Sequence, residues 1–399
     1  MTRQFFFTAM VALAPALAAQ SVSGLWDAVL TVNGVEIPFR MEFSGAGSSL
    51  KASFFNGDEK VTSTSGGVEN GKLVARFDYY NSRLEATWQE GTLAGTYFRD
   101  GKTYPFRAKP FAAPHLTAVE VPSISGLWEV GVKSSKGESA WRLIVRQSGP
   151  EVSAAVLRVD GDTGYLTGTY RDGKFTLSHF SGARPSLFEI TPQKDGILEV
   201  VQNGKTMTAV RSTDARAKGL PEPTDPTRHT SVKDPTERFH FRFPDVNGRM
   251  VSDEDARFRD KVVIVAIGGS WCPNCHDEAP FLEELYRTYH SKGLEIVGLF
   301  FEEADQLRNP TRLRAFIQRY GIEYPMLLCG ETEELQAKLP QAVNLNAWPT
   351  TFFLGRDGRV RSVHAGFAGL ATGDFHRQLK EEVTSLVERL LAENAVSER

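Results

Sequence analysis

Two cysteines separated by two residues, Cys272 and Cys275, have the clearest capacity for chemistry in this sequence. They stand in Trp271-Cys272-Pro273-Asn274-Cys275-His276, directly after the apolar run Lys261 to Ile267 and the pair Gly268-Gly269. A helix beginning at Cys272 places that thiol beside unpaired backbone N–H groups and the positive end of the helix dipole, which favours thiolate. Cys272 is then the nucleophile, and Cys275, one turn further in, resolves a mixed disulfide. Zinc is a rival reading, but it needs four ligands and would have to recruit His276 and Cys329. A second rival is c-type haem, since Cys272-Pro273-Asn274-Cys275-His276 fits the attachment signature with His276 as axial ligand. A pair placed between a buried strand and a helix favours dithiol chemistry, with no metal and no cofactor beyond a redox-active Cys272–Cys275 disulfide. It also predicts an electropositive, exposed pair.

Glu278 falls three residues after Cys275 on the same helical face, so its carboxylate is a candidate to tune or deprotonate the inner sulfur. The plainer alternative is a solvated helix charge. Cys329 follows Met326-Leu327-Leu328 and reads as a core thiol, because free cysteine packs as a small hydrophobe.

Positioning these groups requires a strand feeding a helix, and the sequence from Phe239 onward alternates the two. Lys261 to Ile267 is a β-branched run suited to a strand buried on both faces. The following helix carries Phe281, Leu282, Leu285, Tyr286 and Tyr289 on one side. Leu294 to Phe300 predicts a second buried strand, Thr311 to Tyr320 a helix, and Thr350 to Leu354 a strand turning at Asp357-Gly358 into Val360 to His364. A last helix over Asp374 to Glu393 points Phe375, Leu379, Val383, Leu386 and Leu390 towards the sheet.

The chain before this region is different. Ser23-Gly24-Leu25-Trp26-Asp27 recurs as Ser125-Gly126-Leu127-Trp128-Glu129, and Gly71-Lys72-Leu73 recurs as Gly173-Lys174-Phe175 at equal distance from the tryptophans. Short alternating runs between Gly, Asn and Asp predict two related all-β repeats, small barrels or sandwiches, over 20–110 and 111–213. Arg99-Asp100-Gly101-Lys102 and Gln202-Asn203-Gly204-Lys205 read as tight hairpin turns. Trp26 and Trp128 read as core residues rather than cavity walls. The proline-rich stretch 214–235 reads as a linker to an α/β domain over 236–394. Met1 to Ala18, one basic residue followed by a short apolar run and a small-residue site, reads as a cleaved secretory signal within 1–19 rather than a retained anchor.

At 399 residues several domains are expected, and a net charge of −3 gives no basic field for nucleic acid. Export implies an oxidising compartment, yet three cysteines are too few for a disulfide-stapled scaffold. A close pair with one cysteine left over reads instead as a redox or metal device.

Residues 239 to 393 resemble the TlpA/ResA-like thioredoxin family of exported disulfide reductases. The resemblance is carried by Trp271-Cys272-Pro273-Asn274-Cys275, Glu278, Pro280, Trp348-Pro349-Thr350-Thr351-Phe352 and Asp357-Gly358. It implies a thioredoxin-like fold and a cis Pro349 facing the dithiol, with the backbone of Trp348 placed to pair with an extended substrate. Trp271, Pro273, Asn274, Trp348, Pro349 and Thr350 become candidate substrate contacts. It also implies protein thiol and disulfide partners and a membrane electron donor outside the cytoplasm. The chain departs from the family at Ala266, Ile267 and Gly268, where relatives carry a buried Asp or Asn and aromatics. That leaves Glu278 as the nearby base, and Gly268-Gly269 predicts a more open site. Two other functions compete with exchange: a thiol peroxidase, and a ligand- or partner-binding β protein with a redox-sensing thioredoxin-like domain.

Overall fold

The computed structural model describes residues 22–69, 71–113 and 120–393. The expected secretory signal lies outside the described residues. Among those residues, no helix is long and apolar enough to cross a membrane.

Both N-terminal units are antiparallel meanders, as the alternating runs require. In the first, strand Gly24–Val32 pairs with Val35–Ser44 on one side and with the last strand, Lys102–Pro110, on the other, so the nine-stranded sheet curls on itself. In the second, Ala140–Ser148 pairs with both Gly126–Gly131 and Glu151–Arg158, which closes an eight-stranded barrel. The repeat is structural as well as sequential. Trp26 and Trp128 are both buried, and each indole N–H donates to the carbonyl four residues earlier, Val22 and Ile124, at 2.8 Å. The two expected hairpin turns have left-handed backbones at Asp100-Gly101 and Asn203-Gly204, the geometry that matches strand twist.

The stretch 214–235 does not stand off as a free spacer. It holds a short helix, Pro226–His229, and a strand, Ser231–Val232, that pairs with Ala342–Val343 of the α/β domain.

That domain is a five-stranded sheet flanked by helices. Its elements are β1 (Val262–Gly268), α1 (Pro273–Tyr289), β2 (Leu294–Phe301), α2 (Thr311–Tyr320), β3 (Met326–Gly330), β4 (Thr350–Leu354), β5 (Val360–Ala365) and α3 (Asp374–Ala392). The sheet order is β3-β2-β1-β4-β5, with β1, β2 and β3 parallel to one another and β4 antiparallel to both of its neighbours, β1 and β5. The central strand β1 is buried along its whole length, and each Val or Ile there contributes about 1.5–3 kcal/mol by leaving water. On α3, Leu379, Val383, Val387 and Leu390 are the buried residues, while Phe375 and Leu386 lie at the edge of the core.

Candidate active site

β1 ends at Gly268, and the chain turns through Gly269, Ser270 and Trp271 before Cys272 caps α1. Pro273 occupies the first turn, where a missing N–H costs nothing. Cys272 Sγ accepts the Cys275 N–H at 3.4 Å, so the helix terminus is satisfied by sulfur. All three cysteines are free thiols. Burial raises Cys272, but a hydrogen bond from the Cys275 thiol, the Arg184 guanidinium and the Cys275 N–H outweigh it and hold this thiol below its ordinary range. Burial, together with Cys272 itself, pushes Cys275 well up. The outer sulfur is therefore the more acidic of the two.

Trp348-Pro349 is a cis peptide, and the Pro349 carbonyl accepts the Gly366 N–H at 2.7 Å. Trp271 packs edge-on against Trp348 with ring centres 5.4 Å apart, and its indole N–H donates to Phe301 O at 2.9 Å. Thr350 is fully buried and donates to Ala347 O at 2.8 Å, so its hydroxyl shapes the cis-proline loop from inside. Glu278 is buried against the inner sulfur's side of the helix, accepts Thr351 Oγ1 at 2.7 Å, and is pushed by burial up to about 7.

The family model of the AhpC/TSA family matches residues 235–363. The thiol-disulfide oxidoreductase ResA of Bacillus thuringiensis (strain Al Hakam) is 28% identical over 121 residues, 30% of this chain and 63% of that protein. ResA of Bacillus subtilis (strain 168) is 26% identical over 136 residues, 34% of this chain and 69% of that protein. The C-terminal domain is thioredoxin-like. Among solved structures, a putative thiol:disulfide interchange protein DsbE from Chlorobium tepidum is 20% identical with a TM-score of 0.33, covering 41% of this chain and all of that one. The chain thus spans less than two thirds of the first of these ResA relatives.

The sequence predicts an exposed pair and a site opened by Gly268-Gly269; the structure shows the reverse. Cys272 has no exposed surface and Cys275 only 3%. The space above Gly269 is filled by the Trp271 indole, which a side chain there would meet at 2.2 Å. Both β units then close over the thioredoxin-like domain. From the first, Arg99 donates to Trp271 O at 2.8 Å, and Tyr80 packs on His276 with ring centres 4.4 Å apart. From the second, the turn between strands Glu151–Arg158 and Gly161–Asp162 lies on the motif itself. Asn274 donates to Asp160 O, Asp162 accepts the Gly369 N–H at 2.6 Å, and Val159 packs with Ala347 and Ala365. Gly161, at φ 114°, approaches so closely that a Cβ would lie 2.4 Å from both Asn274 Nδ2 and Phe367 O.

This closure engages Asn274, a candidate substrate contact, in bonds to the second unit, while Thr350, another, is tied to Ala347 O within its own loop. It also brings in groups that the sequence reading missed. Asp160 from the second unit and Asp277 from α1 both act on Cys272, so Glu278 is not the only nearby carboxyl. Burial, with Asp162 facing it, pushes Asp277 well above the usual carboxylate range. Asp277 was visible in the motif helix; Asp160, Arg184 and Arg99 had no local signal, because they reach the site from elements far away in the chain.

His276, the ligand in the zinc and haem readings, is buried. Burial lowers it to about 3, and its two nitrogens face Ser270 O and Tyr320 OH, each at 2.9 Å. Axial ligation would break one of those bonds. Cys329 sits in the cluster on the other side of the sheet, with Phe301, Leu327 and Leu335.

Proposed function

We propose that this chain is an exported thiol–disulfide oxidoreductase that reduces protein disulfides. The observation carrying the reading is the opposed acidity of two cysteines at one helix N-terminus, Cys272 held down and Cys275 pushed up, beside a Trp271 that packs on Trp348 of a cis Trp348-Pro349 bond. The Cys272 thiolate attacks one sulfur of a substrate disulfide; that S–S bond breaks, and one substrate thiolate leaves. Glu278 accepts the Cys275 proton, and the Cys275 thiolate attacks Cys272. The second substrate thiolate departs and the pair is left as a disulfide. The substrate has gained two electrons, and a dithiol donor at the membrane restores the pair. Trp271, Trp348 and Pro349 form the docking edge. The extracytoplasmic setting rests on the signal-like Met1 to Ala18 and on the likeness to ResA. Because Cys272 is covered, a protein substrate gains access when the β units part from the thioredoxin-like domain.

Replacing Cys275 with serine blocks resolution, so C275S purified from its native compartment should carry partner proteins disulfide-linked to Cys272. Absence of any adduct in C275S, with C272S as the blank, refutes exchange.

A further inference from the structure

We propose that Arg184, supplied by the second β unit, is a positioning residue for the dithiol, holding Asn274 and bringing its guanidinium charge onto the motif loop across the domain interface. The proposal rests on the reading of the pair as an exchange centre. Arg184 Nη1 donates to Asn274 Oδ1 at 3.1 Å and lies 3.5 Å from Asp162 O. Asn274 is the residue between Pro273 and Cys275, and its amide donates in turn to Asp160 O. The motif loop is thus gripped by one side chain that both donates to the second unit and accepts from it.

The charge of Arg184 is shared, since it also acts on the carboxyls of Asp160, Asp162 and Asp277. Among the described residues it forms no ion pair with a carboxylate, whereas neighbouring Asp160 is engaged by Lys136 at 2.7 Å and Arg158 at 3.5 Å. The backbone at Arg184 is left-handed, φ 48°, a conformation side chains adopt at a cost, immediately before Pro185. The groups facing Cys272 are Cys275, the helix terminus and Asp277 on α1, Asp160 on the covering turn, and Arg184. Of these, the helix terminus, the Cys275 donors and Arg184 favour the anion; Asp160 opposes it. Burial is the largest influence and also opposes the anion, and Arg184 is the strongest cationic one offsetting it.

The test is a thiolate titration of the reduced full-length protein by ultraviolet absorbance, which needs no reagent to enter the closed site. Cys275 and Cys329 are both raised by burial, so the first step belongs to Cys272. Arg184→Gln should move that step up by about one pH unit, Arg184→Lys should hold it close to the parent, and Asp160→Asn should move it down. Arg184→Met supplies a second neutral side chain should the glutamine variant fail to fold. A parent-like midpoint in a folded neutral variant overturns the proposal, as does a lysine variant that shifts as far as the neutral ones, which indicates a purely structural role. Because the titration needs no turnover, it is separable from the adduct experiment. A flat titration with adducts present removes Arg184 only, and a shifted titration without adducts removes the exchange reading only.

Discussion

Burial acts on Cys272, Cys275 and Glu278 alike, and what separates them is the company each keeps. Cys272 has a helix terminus, a neighbouring thiol and a guanidinium to offset desolvation; Cys275 has the anion of Cys272 beside it and is driven up. Glu278 has only Thr351 to offset burial and sits at about 7, where it can both accept and return a proton near neutrality. In the folded protein this carboxyl holds its proton more tightly than in the unfolded chain. Stability therefore falls as pH rises from the ordinary carboxylate range through about 7. Glu278→Gln should flatten that part of the stability profile, read as denaturant midpoint against pH, and slow resolution of a mixed disulfide by about a hundredfold. A resolution rate equal to the parent's would leave Glu278 a bystander. These three residues were legible because spacing along one helix decides their placement. Arg184 and Asp160 were not, since nothing near them in sequence announces a partner some ninety or more positions away.

At the scale of elements, the strand-to-helix turn is held from beneath as well as above. Ser270 donates to Glu302 through its N–H at 2.7 Å and its hydroxyl at 2.8 Å, and Arg312, 1% exposed, completes the cluster by pairing with Glu302 at 2.7 Å. Burial raises Glu302 despite these partners, so the cluster positions the turn more than it stabilises the fold. Above, the covering turn depends on Gly161, where a side chain would meet both Asn274 and Phe367 O. Gly161→Ala should strain that contact by about 1–3 kcal/mol and raise the population of open molecules between about fivefold and a hundredfold. The measurement is labelling of Cys272 by a bulky maleimide, which should accelerate correspondingly; an unchanged rate would mean that the turn does not limit access. The strands and helices of the thioredoxin-like domain followed the expected boundaries closely, because β-branched runs and helical spacing are local properties. Val387 was missed on α3 since the helix buries a slightly rotated stripe.

For the whole molecule, the repeated tryptophan motif disclosed two related β units, and their strand content followed from alternation. What alternation does not encode is how a meander meets a third domain. The docking surfaces are two polar turns, Arg99-Asp100 and Asp160-Gly161-Asp162, whose composition reads as solvent-facing loop, and the buried aromatic pair Tyr79-Tyr80. They turn an active site expected to be open into a covered one. The same cover supplies Arg184, so the second unit both restricts and equips the dithiol.

Cys272 and Cys275 should interconvert as one two-electron couple. Equilibrating the full-length protein in a graded thiol–disulfide buffer, quenching with acid and mapping each cysteine by mass spectrometry tests it most directly. The expected result is a single transition in which Cys272 and Cys275 become linked to each other while Cys329 stays reduced throughout. Independent modification of the two, or a disulfide that includes Cys329, would contradict it.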